Sequence, residues 1–175
     1  VLSQRSLEDL LATAEDPVEL LRNSQTGANV FPGVPPEFTN WRDEQRAWQQ
    51  TCVLFDQSFH MNELAVEGPD ALKLLSRLAV NSFDGFGFDR AKHFVPCSPE
   101  GYVIGDVILF PLGENRFNLV GRAPALNWIM YHAETGGYAV TVELDLRTAL
   151  RNDGRRRSYR FQLQGPTAMQ VIEKA

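Results

Sequence analysis

Two twelve-residue stretches of this chain carry nearly the same instruction. Leu64–Leu75 (LAVEGPDALKLL) and Phe161–Ile172 (FQLQGPTAMQVI) each begin as a short strand, turn at Gly-Pro and continue as a helix. Pro suits the start of a helix because the N–H it lacks has no intrahelical partner there. Two copies are too few for a solenoid, whose units must cover one another's apolar faces. They fit an α+β domain in which two pseudo-equivalent βα units sit in split βαβ arrangements. A plainer account is that Gly-Pro ahead of a helix is ordinary turn chemistry, and on the echo alone that account is preferred.

The rest of the chain reads as further short elements. Ser6 with Glu8 and Asp9 resembles a helix N-cap, with Leu10, Leu11 and Ala14 following. Asp16-Pro17 opens a second short helix carrying Val18, Leu20 and Leu21. Residues 23–38 form a loop rich in Asn, Gly and Pro, and Trp41–Thr51 is helical with Trp41, Gln45 and Trp48 near one face. Val53–Phe55 and Leu64–Val66 are buried-strand candidates. Helix 70–79 follows, with Ala71, Leu74, Leu75 and Leu78 as its apolar stripe. Phe94–Pro96 and Tyr102–Ile104 flank a turn at Ser98–Gly101, which predicts one hairpin. Gly105–Phe110 and Phe117–Val120 flank Gly113–Asn115 and predict a second. Pro124–Glu134 is a helix that stops at Gly136-Gly137. Tyr138–Leu144 is the next strand, and Thr167–Ala175 the last helix. Trp41, Trp48 and Trp128 are expected in the core. The arginines of residues 151–160 are expected on a solvated loop face.

Charge and composition exclude several classes. Lys and Arg number 17 against 22 Asp and Glu, a net charge of −5, which argues against a nucleic-acid partner. The hydrophobic fraction of 43 % supports a packed core and rules out a disordered chain. No apolar run reaches membrane-spanning length, so no membrane partner is expected. Cys52 and Cys97 lack CxxC spacing, and two buried free thiols explain them more simply than one bridge. His60, His93 and His132 have no zinc spacing, and no metal is expected. Gly85-Phe86-Gly87 lacks the rest of a phosphate loop. The start of the chain shows no secretory pattern, so the expected location is cytoplasmic. The last helix ends without a Gly or Pro terminator, as in a cut through a longer protein. The expected division is a helical and loop segment at 1–50 and a folding domain at 51–175, incomplete at its C-terminal end.

Three blocks go further than periodicity. VLFDQSFHMNELAVEGPDALKLLSRL (residues 53–78), PEGYVIGDVILFPLGENRFNLVGRA (99–123) and FQLQGPTA (161–168) resemble, in order and spacing, segments of the glycine-cleavage T-protein superfamily. The N-terminal stretch LRNSQTGANVFPGVPPEFTNWRDEQRAWQQTCVLFDQSFHM is untypical of T-proteins. It resembles tetrahydrofolate-dependent aromatic O-demethylases, nearer those acting on syringate than on vanillate. The resemblance implies a T-protein-like folate-binding fold and a place in lignin breakdown. It also implies a methoxylated aromatic acid as substrate, and methyl transfer from an aryl ether to tetrahydrofolate. An aryl ether is an inert donor, because a phenolate must leave. Protonating or hydrogen-bonding the ether oxygen helps, as does holding the accepting amine in line. The alternatives are aminomethyl transfer or dimethylsulfoniopropionate demethylation on the same fold, or folate binding without catalysis.

The resemblance also nominates residues. Arg122, where a strand hands over to a helix, is assigned to the substrate carboxylate, which a guanidinium grips with two parallel hydrogen bonds. His60 is the candidate catalytic and substrate-binding imidazole. Gln57, where T-proteins commonly have Val or Leu, faces an oxygen-rich substrate or orients His60. Phe31 either closes over the aromatic ring or simply covers the core. Asp106 and Tyr102 are the cofactor-binding candidates for tetrahydrofolate, with turn capping the even alternative for Asp106. Gly105 stands where T-proteins have the first of two aspartates, which disfavours aminomethyl transfer.

Overall fold

Alternation in the strands decides which face is buried. A computed structural model of the chain describes residues 7–22, 39–148 and 155–175. The chain divides into two compact units, Val1–Val30 and Phe31–Ala175. The described part of the first holds α1 (Leu7–Thr13) and α2 (Pro17–Arg22). Asp16 caps α2, its Oδ1 accepting from the Val18 and Glu19 amides at 2.8 and 3.2 Å.

The second unit begins, among the described residues, with α3 (Trp41–Gln50), capped by Asn40. Trp41 and Trp48 are each 47 % exposed, contrary to the core placement expected for them. Arg42 stacks over Trp41 at 4.1 Å, and Trp48 meets Phe55 edge-on at 5.8 Å. Trp128 does pack against the core. A five-stranded antiparallel sheet follows, built from β2 (Asn62–Glu67), β3 (Lys92–Phe94), β4 (Val107–Gly113), β5 (Arg116–Gly121) and β6 (Thr141–Asp145). Its order is β3-β4-β5-β2-β6. In register, Leu109 faces Leu119, Leu119 faces Leu64, and Leu64 faces Leu144, so one layer of leucines crosses the sheet. On that face lie α4 (Ala71–Leu78) and α5 (Ala123–Thr135), which bury Ala71, Leu74, Leu75, Leu78, Ala125, Leu126 and Ile129. Strands β5 and β6 both run antiparallel to β2 and flank it, so β5–α5–β6 is a split βαβ unit around the first of the two echoed strands.

The echo is structural as well as sequential. Strand β7 (Phe161–Gln164) pairs antiparallel with β1 (Val53–Asp56) and leads into α6 (Ala168–Ile172). Gly68 and Gly165 share φ +137°, a conformation that only glycine adopts readily. A Cβ on Gly68 would lie 2.4 Å from the Ala139 carbonyl oxygen and 2.9 Å from the Val140 Cα. On Gly165 the same two distances recur against Thr51 and Cys52. Asp70 donates its amide to the Ala139 carbonyl, as Thr167 donates to that of Thr51. In both units the chain turns against the carbonyl two residues ahead of the partner strand.

The expected elements differ from the structure in three places. The 94–104 hairpin shrinks to the Ser98–Gly101 turn and one bridge, Cys97 to Val103, while Phe94 belongs to β3 and pairs with Val107. Pro96 and Pro99 have no N–H to give a longer ladder. Strand β6 starts at Thr141, because Ala139 exchanges both backbone groups with Asp70: its amide goes to Asp70 Oδ2 and its carbonyl accepts the Asp70 amide. The third difference lies in the arginines. Arg151 lies outside the described residues, and Arg157 is exposed and paired with Glu143, but the Arg156 side chain is fully buried.

Arg156 is held there by two buried acids. Glu63 on β2 and Asp145 on β6 are directly opposed across the ladder. Like charges in that position repel. Arg156 lies between them, Nη2 3.4 Å from Glu63 Oε1 and Nε 3.4 Å from Asp145 Oδ2, while Nη1 donates to the Leu146 carbonyl at 2.6 Å. Glu63 Oε2 also accepts from Asn118 at 2.9 Å and from Ser158, and Asp145 Oδ2 accepts the Arg157 amide at 3.0 Å. Removing one partner of such a buried set leaves an uncompensated charge. Arg156→Met should therefore cost about 3–5 kcal/mol in denaturant unfolding. Gly165→Ala and Gly68→Ala should each lose about 1–3 kcal/mol from the backbone conformation alone, also read from denaturant midpoints.

Candidate functional site

Helices cover one face of the five-stranded sheet, which leaves the other open. Over it, between Ile108, Phe110 and Val120 on one side and residues 57–61 with the start of β7 on the other, lies a cleft of about 680 Å³. That is the size of a small-molecule site. Of the residues nominated from sequence, Gln57, His60, Asp106 and Arg122 all line it. Tyr102 does not; it sits on the Ser98 turn, 74 % exposed. Phe31 lies outside the described residues.

The four reach the cleft in different ways. Arg122 is the N-cap residue of α5, extended at φ −89° and ψ 155°, with no side-chain cap bond. Among the described residues, no carboxylate lies within ion-pair distance of it. The first amides of α5 likewise have no side-chain cap, and Pro124 and Ala125 of that first turn line the cleft. A helix N-terminus and an unpaired guanidinium thus share one opening, and both favour an anion. Gly105 also lines the cleft; a Cβ there would come within 3.0 Å of the Ala125 Cβ, so the two small residues pack directly. Gln57 Nε2 donates to Gln162 Oε1 at 3.1 Å, and the Gln57 amide donates to the Arg160 carbonyl at 2.8 Å.

His60 is half-buried at the same opening and has no hydrogen-bond partner among the described residues. Its pKa lies below the ordinary 6.5. Burial is the main cause, followed by the positive charges of Arg160, Arg122 and Arg156, with Asp56 opposing them. The imidazole is accordingly neutral at neutral pH, able to donate one hydrogen bond and accept another.

The cleft also contains two groups that the sequence reading passed over. His93 Nδ1 lies 2.9 Å from Asp106 Oδ1, so the aspartate has an imidazole as its neighbour. Arg160, assigned from sequence to a solvated loop, lines the cleft with its side chain only 22 % exposed. The available signal was Glu63, an acid at a position that the strand pattern buries and that therefore demands a cation. Nothing in the sequence said which arginine would answer.

A split βαβ sheet covered by helices on one face, with a largely apolar cleft edged by a few polar side chains on the other, defines an α+β domain with a candidate small-molecule site. The sequence matches the family described as the GCVT N-terminal domain over residues 23–175, and the chain belongs to that family. It is 61 % identical over 171 residues to a syringate O-demethylase of Sphingobium sp. (strain NBRC 103272 / SYK-6), a match covering 98 % of this chain and 37 % of that protein. It is 31 % identical to an aminomethyltransferase of Moorella thermoacetica, over 79 % of this chain and 36 % of the relative. Among solved structures it is similar to the glycine cleavage system aminomethyltransferase T of Bartonella henselae. The TM-score is 0.54 and the identity 26 %, over 75 % of this chain and 34 % of the other. The chain spans little more than a third of the length of each relative. The T-protein-like α+β fold expected from the sequence is therefore the fold observed.

The depressed pKa of His60 sets a sign for stability against pH. The unfolded chain takes up a proton on this residue near 6.5, and the folded chain only at lower pH. Between those values the unfolded state binds more protons, so stability falls as pH falls through that window, with no contribution above it. Denaturant unfolding from neutral pH to about pH 5 should show this loss, and His60→Gln should flatten that part of the profile.

Proposed function

We propose that this chain forms the N-terminal domain of a methyltransferase that moves the methyl group of a methoxybenzoate to tetrahydrofolate. The products are a phenol and 5-methyltetrahydrofolate. Syringate is the favoured donor, with vanillate and 3-O-methylgallate as alternatives. The observation that carries this reading is Arg122, a guanidinium without an acidic partner among the described residues, in the same cleft as a neutral His60 and the uncapped start of α5. The similarity to a syringate O-demethylase supports the choice of donor. The reading places the reaction in the cytoplasm, in the breakdown of lignin-derived aromatic acids.

The roles follow from the chemistry of the side chains. Arg122 takes the benzoate carboxylate through two parallel N–H donors, helped by the α5 amides. The ring then lies along Ile108, Phe110 and Val120, apolar residues that line the cleft. His60 and Gln57 supply hydrogen bonds to the ring's oxygen substituents, and a donor at the ether oxygen stabilises the charge that develops as the methyl leaves. Asp106 offers carboxylate oxygens to the N–H groups of a pterin, with His93 fixing its direction. Tetrahydrofolate supplies the accepting amine. A Gly105 packed on Ala125 puts no carboxylate at that position, which weighs against aminomethyl transfer.

The test is to incubate the protein with tetrahydrofolate and each aromatic acid in turn, detecting 5-methyltetrahydrofolate by mass spectrometry. Syringate should give product. Arg122→Ala should lower kcat/KM about 10- to 100-fold, the worth of a hydrogen-bonded charge pair. Folate binding without methyl transfer from any of the acids would overturn the proposal.

A further inference from the structure

Among the described residues, Arg160 makes more of the hydrogen bonds that fasten the loop carrying Gln57 and His60 than any other, beside single ones with Gln162, Asp56 and Thr148. The Arg160 carbonyl accepts from the Gln57 amide at 2.8 Å and from Ser58 Oγ at 3.3 Å. The Arg160 amide donates to Ser58 Oγ at 2.9 Å, and its Nη2 donates to the Gln57 carbonyl at 2.9 Å. Ser58 is fully buried, and its own amide donates to Asp56 Oδ1 at 2.9 Å. The Arg160 guanidinium reaches the other way as well, its Nη1 3.6 Å from Glu63 Oε1, at the carboxylate that also holds Arg156. Arg160 is thus tied at backbone and side chain. It also lines the cleft together with His60.

We propose that Arg160 is a positioning residue for this cleft: it fixes the Gln57–His60 loop against β7 and holds a permanent positive charge beside the His60 ring. The groups acting on that ring are Arg160 from the start of β7, Arg122 from the start of α5, Arg156 from the buried cluster and Asp56 from the end of β1. Of the three cations Arg160 acts most strongly, second only to burial in depressing the imidazole's pKa. The consequence is an imidazole that stays neutral as an aromatic acid binds, and a cleft whose positive charge resides on arginines. A developing phenolate then meets a fixed cation that needs no proton transfer to form.

The role assigned to His60 rests on the proposed reaction, but the electrostatic coupling does not, so its test needs no turnover. The His60 ring protons are followed by NMR across pH, assigned by their loss in His60→Gln. Arg160→Gln keeps an amide donor for the Gln57 carbonyl and removes the charge. Its His60 midpoint should move up toward 6.5. Arg160→Lys keeps the charge and loses the fork. Its midpoint should stay low, while KM for the aromatic acid rises as the loop loosens. A His60 titration unchanged in a folded Arg160→Gln variant would overturn the proposal. If that variant does not fold, a midpoint that rises toward 6.5 in Arg160→Lys would overturn it instead. Absence of methyl transfer in every form, with the midpoints moving as described, would count against the proposed reaction alone.

Discussion

The architecture depends on one arginine between two acids. Glu63 and Asp145 face each other on neighbouring strands, and without a cation their pairing would push β2 and β6 apart. Arg156 resolves the conflict from outside the sheet, which fixes the segment around it, residues 155–160, against the open face. That segment runs directly into β7, and β7 recruits β1 and the loop after it. The cleft therefore has its position because a charge conflict inside the sheet requires a strap across it. A buried ion set adds little net stability compared with an apolar core of the same shape. Its value here lies in geometry, since it ties the strap to both carboxylates and to the Leu146 carbonyl at once.

Much of the fold was legible because it follows local rules. The Leu74, Leu75 and Leu78 stripe, the Gly113–Asn115 turn and the Gly136 stop behave as their spacing predicts. Gly-Pro at 68–69 and 165–166 marked both βα corners, and the shared φ shows that the echo reflects one joint made twice. What could not be read was long-range. Nothing near Arg156 in sequence announces the two acids that bury it, and they lie on strands it does not belong to. Trp41 and Trp48 were expected inside, and their exposure depends on what α3 packs against.

The candidate site divides in the same way. Arg122 was legible from its place at a strand–helix junction, since such junctions leave amides open to a ligand. His60 and Gln57 stood out within their segment. Arg160 and the His93–Asp106 pair were invisible, because each acquires meaning only through a partner brought close by the fold. Tyr102 is near Asp106 in sequence, but the Ser98 turn carries it away from the cleft.

The β1–β7 pairing has a consequence for how the molecule assembles. The hairpin β4–β5 and its neighbours close over shorter stretches of chain, whereas Gln57 must wait for Gln162, 105 residues later. Contacts that span so much chain carry the largest closure entropy and form late. As the chain leaves the ribosome, the helix-covered sheet can close while β1 is still without its partner. The cleft is completed only when β7 arrives. Within residues 39–175 the cleft is thus a seam sewn after the sheet, and a chain that has not yet reached β7 would have the sheet without the cleft's second wall.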